Sequence, residues 1–417
     1  MLLNDLAQVV YAPSKAFKKI IENPKYLGAL LVLLLFVGLA IGFEFVQFSR
    51  IYTENTVPQV GQLQDFLNST SWRSSSNVAL SDNFADPFNY SIFVAALNTN
   101  YSMFGNSSLE MGAIHTNNIT TALGNVFNVD CNPSGFQNLS ITIKQVAPSS
   151  APQNAALTLF SLSDTSFYTY DLTSSLNSAP VGAWNNLTIP LGPKSSGWTT
   201  TGTPSWGNVT ALQLSLNYPA NSNITARIGA LFFRGQYQTP VQTDSLGLVE
   251  QFLSSYGFEF ILVWFVLTGI IYLFFYGMKT SHVWKPLFVA TGYALIVLDI
   301  RALINIIAAA TLPTLYYPFD ITLGVRFNFY GATVYAGAAS SLTTQSHAIL
   351  NSINTATAGF GTIVFLMFAV SYIWIGFLST IIVGTLKPEF SMTKRITIAV
   401  VSVAATVFLS LLLVGLV

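Results

Sequence analysis

Apolar residues fall into two different patterns along the chain. Five long runs, 26–48, 257–278, 286–311, 360–386 and 396–417, each reach the roughly 20 residues that a helix needs to cross a hydrocarbon core. Between the first and second lies a polar stretch, 49–256, whose apolar runs are short. Leu139, Ile141 and Ile143 alternate with polar neighbours, as do Leu212, Leu214 and Leu216, the period-two pattern of strands buried on one face. Such runs recur at 90–97, 109–115, 139–146, 156–162, 167–172, 184–191, 211–218 and 224–233, with Gly, Pro, Asn and Ser between them. The pattern predicts an α+β multidomain membrane protein: a five-helix transmembrane bundle plus an extracytoplasmic antiparallel β-sandwich of the jelly-roll kind over 76–235. Residues 49–75 and 236–256 read as stalks, with short helices at Val60–Leu67 and Leu246–Leu253. Residues 1–25 read as a cytoplasmic amphipathic lead and 312–359 as an outer loop.

Composition supports this division. The 417 residues are 52% hydrophobic and 8% charged, against about a quarter charged in an ordinary soluble chain. The 17 basic and 17 acidic residues balance, so no global field recruits nucleic acid. Charge placement sets orientation. Lys15, Lys18, Lys19, Lys25, Lys279, Lys285, Lys387, Lys394 and Arg395 all fall on one side of the five runs, against Arg326 in the outer loop. The positive-inside rule puts the N-terminus in the cytoplasm and 49–256 and the C-terminus outside. Glycosylation sequons begin at Asn68, Asn89, Asn100, Asn106, Asn118, Asn138, Asn186, Asn208 and Asn223, all within the polar stretch, which fits an outward face and an archaeal or eukaryotic host. The 25 residues ahead of the first run are long for a signal-peptide n-region, and no obvious small-x-small site follows that run, so it reads as an uncleaved anchor.

Candidate chemistry is sparse. Cys131 is the lone cysteine, which excludes an intrachain disulfide, and His115, His282 and His347 are too far apart for local metal-ligand spacing. No zincin, nucleophile-elbow or phosphate-loop motif occurs, so neither enzyme activity nor a cofactor is expected. Trp184 opens a strand run and reads as core, whereas Trp198 and Trp206 read as loop residues able to stack on sugar rings. Tyr168 and Tyr170, on one strand face, would extend that platform or pack across strands. Within the apolar runs, Glu44 and Glu259 lie near the outer boundary, where hydration accounts for them. Asp299 and Arg301 are deeper and two residues apart, hence on different helix faces, and should find partners on other spans; Asn305 shares the face of Arg301. This trio reads as a structural clamp or, alternatively, as a solute path.

Two resemblances enter here. The segments Trp184-Asn-Asn-Leu-Thr-Ile-Pro-Leu-Gly, Gly197-Trp198, Pro204-Ser-Trp-Gly-Asn-Val-Thr-Ala-Leu-Gln-Leu and Ala226-Arg-Ile-Gly-Ala-Leu-Phe-Phe are similar to the C-terminal half of galactose-binding-like jelly rolls and carbohydrate-binding modules. That resemblance implies a glycan-binding fold. Members of the group often place an acidic residue in the last strand to hold calcium, where Gly229 or a neighbour stands here, so calcium is not expected. The segment Pro13-Ser-Lys-Ala-Phe-Lys-Lys-Ile-Ile-Glu-Asn-Pro, and Lys285-Pro-Leu-Phe-Val-Ala-Thr-Gly-Tyr-Ala-Leu, resemble the Yip-type five-helix membrane domain, with the polar stretch as an insertion. In the lead, Leu2, Leu3, Leu6, Val9 and Val10 cluster apolar surface on a first helix and Phe17, Ile20 and Ile21 do so after Pro13, with lysines between, as helices lying on the inner leaflet would. The expectation is a non-enzymatic cell-envelope protein whose partners are the lipid bilayer and envelope glycans or a glycoprotein, a receptor or assembly factor. A transporter or channel, and an accessory subunit among other membrane subunits, are the rival readings.

Overall fold

The structure, a computed structural model, describes residues 2–59, 62–88, 91–94, 99–102, 107–161, 163–278, 283–318, 325–328, 331–334 and 344–414. Its helices are α1 (Leu2–Tyr11), α2 (Pro13–Glu22), α3 (Tyr26–Phe48), the short α4 (Leu63–Leu67), α5 (Thr173–Asn177) and α6 (Pro240–Thr243), then α7 (Ser245–Gly277), α8 (Trp284–Ala294), α9 (Ile296–Ala310), α10 (Thr344–Leu386) and α11 (Met392–Val414). Five spans are long and apolar enough to cross a membrane: α3, α7, α8 with α9, α10 and α11.

The helices alternate in direction. At one end Tyr26 of α3 packs on Phe288 of α8, Tyr272 of α7 on Trp284, and Phe275 of α7 on Phe390, which joins α10 to α11. At the other end Arg50, just past α3, donates from Nη2 to the Ala310 carbonyl closing α9 at 3.2 Å. Large apolar side chains face outward on every span, among them Leu34, Phe265, Ile307, Ile373 and Phe408, while Glu259, Asp299 and Arg301 are buried. That is the reverse of a helical bundle built for water.

Three expectations about the helices change. The run 286–311 is two helices: Thr291 Oγ1 lies 3.0 Å from both the Leu287 and Phe288 carbonyls and 2.6 Å from Thr268 Oγ1, and a hydroxyl that bonds its own preceding turn bends a helix. The outer loop is shorter than expected, because α10 begins at Thr344 and Leu315–Tyr317 is a strand. The apolar flanks of α1 and α2 pack largely against the other helices, with Val10 and Ile21 half-buried and the side chains of Leu2 and Leu3 outside the described residues. Leu6, Val9, Phe17 and Ile20 are buried in the same core as Val32, Phe36, Leu287 and Ile382.

Among the described residues, the polar stretch gives ten strands of an 11-stranded, almost wholly antiparallel sheet, the eleventh coming from the segment after α9. Its strands are β1 (Ile51–Val57), β2 (Trp72–Ser74), β3 (Val78–Asn83), then the separate hairpin β4 (Ser91–Val94) and β5 (Thr99–Ser102), β6 (Ser108–Val129), β7 (Asn138–Ala147), β8 (Asn154–Ser161), β9 (Ser163–Asp171), β10 (Asn185–Pro190), β11 (Trp198–Thr201) and β12 (Val209–Gln238), joined by β13 (Leu315–Tyr317). The expected strands at 211–218 and 224–233 are one continuous β12. Its first part pairs with β8 and the end of β6, its second part with β7 and the start of β6. Pairing lapses between Asn217 and Ser222, where Pro219 has no N–H to give, and shifts again between Ser222 and Ile224, opposite which His115 adopts φ +51°. The sheet folds over there, so one half runs β11-β9-β8-β12-β6-β2 and the other β10-β7-β12-β6-β3, and Leu109, Ile141, Leu157, Leu159, Leu214, Ile228 and Phe233 of both halves share one core.

The stalks are not loose connectors. β1 pairs with Phe233–Gln238 of β12 and, in parallel, with β13. Glu54 accepts from Arg234 Nη2 at 2.9 Å and from the Gly235 amide at 2.7 Å, while Ile51, Leu315 and Tyr317 sit in the core of the helices. The expected domain 76–235 therefore widens to include β1, β2 and the end of β12. Past it, the Thr239 and Gln242 capping box starts α6, and α7 begins at Ser245, well ahead of the expected span.

Candidate functional site

The four aromatics singled out from sequence do come together, but inside the fold. Tyr168 and Tyr170 share the inward face of β9, and Trp206 stacks on Tyr168 with ring centres 3.9 Å apart and planes within 14°. Trp198 is not a loop residue; it opens β11, meets Trp206 edge-on at 5.3 Å and Tyr170 at 5.1 Å, and donates from Nε1 to the Pro190 carbonyl at 2.7 Å. Trp206 and Tyr168 are buried, and the Tyr168 hydroxyl donates to the Pro204 carbonyl at 2.9 Å. The expected sugar platform is an aromatic cluster at the edge of the core, in which Tyr168 and Trp206 are stacked on each other and Trp198 and Tyr170 are half-buried beside them. Beside it the Cys131 amide donates to the Trp206 carbonyl at 2.7 Å, and burial pushes the Cys131 thiol up to about 12.

The opposite face of this half of the sheet is exposed at its margins and half-buried to buried at its middle. Leu157 and Leu159 point into the main core, and Thr158, itself buried, and Phe160, half-buried, lie on the other side. Register extends that outward set across six strands as one row: Thr199, Thr169, Thr158, Gln213, Ala122 and Arg73. A parallel row holds Phe167, Phe160, Ala211 and Gly124, with the Phe160 and Phe167 rings 5.6 Å apart. Ser215 and Thr120 lie on the other side, their hydroxyls 3.3 Å apart, and Gln213 Nε2 donates to Ser215 Oγ at 3.3 Å. Hydroxyls and an amide that both donate and accept, beside two half-buried phenyl rings, suit a neutral polyol better than an ion. Charge enters only at the rim, at Arg73 and Asp171, both exposed.

The other half carries a charged cluster. Arg227 of β12 holds Glu110 of β6 at 2.7 Å and pairs closely with Asp86, which also takes Lys144 of β7 at 2.8 Å; Asn83 Nδ2 donates to Glu110 at 2.7 Å. Burial works to raise both carboxyls, but hydrogen bonds from Lys144 and Arg227 to Asp86, and from Asn83 and Arg227 to Glu110, outweigh it and hold both below their ordinary range. Trp184, expected in the core, is half-buried above this cluster, with Lys144 5.6 Å from its ring and Phe88 5.5 Å away. A Cβ at Gly229 would meet Phe88 Cβ at 2.3 Å and Trp184 Cζ3 at 2.9 Å, so this position packs rings and carries no carboxylate.

Among the helices, Glu44 and Glu259 are buried rather than hydrated at a boundary. Tyr256 donates to Glu44, and Arg301 faces Glu259 on α7 at 3.6 Å and the Phe368 ring on α10 at 5.8 Å. Arg301 thus finds its partners on other spans. Asp299 does not: both its carboxylate oxygens, with Glu259 Oε2 and Asn305 Oδ1, are buried without a hydrogen-bond partner among the described residues. Arg301, Asn305, Tyr256, Phe36 and Phe368 line a cavity of about 40 Å³. That is room for water but not for an organic solute.

Of the sequons, Asn118, Asn186 and Asn223 are exposed, and Asn68, Asn138 and Asn208 are half-buried. Asn89 and Asn106 and the side chain of Asn100 lie outside the described residues, as do Lys279, His282 and the side chains of Arg326 and His347.

Comparison with protein-family models and with curated proteins gives no match. Among solved structures, a family 11 carbohydrate-binding module from Clostridium thermocellum in complex with a β-1,3-1,4-mixed-linked tetrasaccharide is 16% identical, with 44% of this chain and 95% of that one covered and a TM-score of 0.25. An exo-β-agarase is 11% identical over 42% of this chain and 25% of its own, with a TM-score of 0.27. Identities and scores this low assign no activity to the chain.

Proposed function

We propose that this chain is a non-enzymatic, multi-pass protein of the cell envelope, its bundle of the Yip type, that displays its β-domain outside the cell and binds neutral glycans on the outer face of the β8 half. The glycan belongs to the envelope or to a glycoprotein partner, which makes the protein a surface receptor or assembly factor. The observation that carries this reading is the six-strand row from Thr199 to Arg73, uncharged until its rim and flanked by Phe160 and Phe167. A face meant only for solvation would be studded with charges, as the surfaces of most domains are.

The test is binding of the detergent-purified full chain to an array of envelope and N-linked glycans. Gln213→Ala and Phe167→Ala should each weaken binding several-fold, because they remove the amide and one ring of the face, while Trp198→Phe on the inward side should leave it within a factor of two. Absence of binding to every neutral glycan, or equal binding by the Gln213 and Phe167 variants, would overturn the reading.

A further inference from the structure

At the lysine-rich end of the helices, α1, α2, α3 and α8 enclose a cavity of about 310 Å³ lined by Asp5, Lys19, Asn23, Lys25, Leu27 and Tyr293 among others. Asp5 is met by Lys19 at 2.5 Å, so its charge is already balanced. Lys25 is exposed and has no ion pair among the described residues, which leaves the cavity with one uncompensated positive charge beside the Asn23 amide and the Tyr293 hydroxyl. From the cavity mouth, Leu27, Leu30 and Leu34 run up α3 at 63%, 45% and 68% exposure. Positions i, i+3 and i+7 fall on one helix face, so these leucines form a continuous apolar stripe that starts where the basic cavity ends. Tyr26 and Trp284 stand exposed at the same level, and Lys285 lies 5.5 Å from the Tyr26 ring, the mix of aromatics and lysines found at a membrane boundary.

We infer that this cavity is a discrete site for an anionic phospholipid of the inner leaflet. Its phosphodiester headgroup sits against Lys25 and Asn23, and one acyl chain lies along Leu27, Leu30 and Leu34. The chemistry is a monoanion joined to a hydrocarbon tail: the cavity matches the first part and the stripe the second, and basic pockets between helices at a cytoplasmic boundary are suited to such headgroups. The inference rests on the reading that the five helices span a membrane with the N-terminus inside.

The experiment uses the full chain purified in mild detergent, with thermal unfolding followed on addition of phosphatidylglycerol, phosphatidylcholine or inorganic phosphate. Phosphatidylglycerol should raise Tm by a few degrees, and the other two should leave it unchanged. Lys25→Gln should lose at least half of that rise, whereas Lys15→Gln, an exposed lysine on α2 outside the cavity, should keep it. An equal rise with phosphatidylcholine, the same rise with phosphate alone, or equal losses in the two lysine variants would overturn the site. Release of the protein from membranes by alkaline carbonate would instead sink the spanning reading beneath it, so the two failures are told apart.

Discussion

Gly229 and Trp206 show what single residues do in this fold. Trp206 follows Pro204 and Ser205 and reads as a loop tryptophan, yet it is buried against Tyr168, because chain folding, not local pattern, decides whether a turn residue caps a core. Gly229 reads as a missing acidic ligand and proves to be the space that Phe88 and Trp184 occupy. Both departures involve contacts between residues far apart in sequence, which no local period reports. The Asp86, Lys144, Glu110 and Arg227 cluster was equally hidden, since its members are spread over β7, β6, β12 and the segment after β3. It carries a pH consequence. The Asp86 and Glu110 carboxyls sit below their ordinary values of 3.8 and 4.5, so their ionised forms stabilise the fold at neutral pH, and that contribution is lost as pH falls through the lowered values. The melting temperature of the full chain, followed by tryptophan fluorescence, should therefore hold down to about pH 4.5 and fall below it. In Asp86→Asn it should be lower at neutral pH and change less with acid. An identical acid profile in that variant would rule out the cluster as the cause.

At the level of elements, hydropathy and length marked all five spans, and the first run matches α3 from Tyr26 to Phe48. The misses have physical reasons. The third span breaks at Leu295, one turn past Thr291 and Gly292, inside an apolar run whose hydropathy does not change there, and β12 runs on past Pro219 because β6 bends with it. The outer face of β8 is not legible locally because its polar positions look like any solvated strand; only register across six strands turns them into a row. The burial of Glu259 does not follow from distance along the apolar run, because α7 begins at Ser245 and sets Glu259 opposite Arg301 of α9. That pairing of helices is testable. Removing one member of a buried pair leaves an uncompensated charge, at a cost of about 3–5 kcal/mol, whereas replacing both with apolar residues of similar size is often near neutral. Glu259→Leu should therefore lower the stability of the detergent-solubilised protein strongly, and Glu259→Leu with Arg301→Met should recover most of the loss. If the double variant is as unstable as the sum of its parts, Arg301 is held by something other than Glu259.

Across the whole molecule, the helices place their lysine-rich end opposite the sheet. β1, β13 and the close of β12 lock the sheet to the helices through the Glu54–Arg234 pair and the Ile51, Leu315 and Tyr317 core contacts. The division into an apolar bundle and a polar β-domain was legible from hydropathy alone, and so was the direction of the lysine asymmetry; the close seating of the two parts was not, because it depends on a short strand, Leu315–Tyr317, inside what reads as loop. Exposure of the β-domain to the outside, with α1 and α2 inside, is the claim on which both the glycan face and the lipid site depend. Labelling in intact cells with a membrane-impermeant maleimide tests it, and the native Cys131 is silent there because it is buried. A cysteine placed at Ser74, exposed on β2, should label in intact cells, and one placed at Ser14, exposed on α2, should label only after permeabilisation. Labelling of Ser14→Cys in intact cells with Ser74→Cys protected would contradict the outward display of the β-domain.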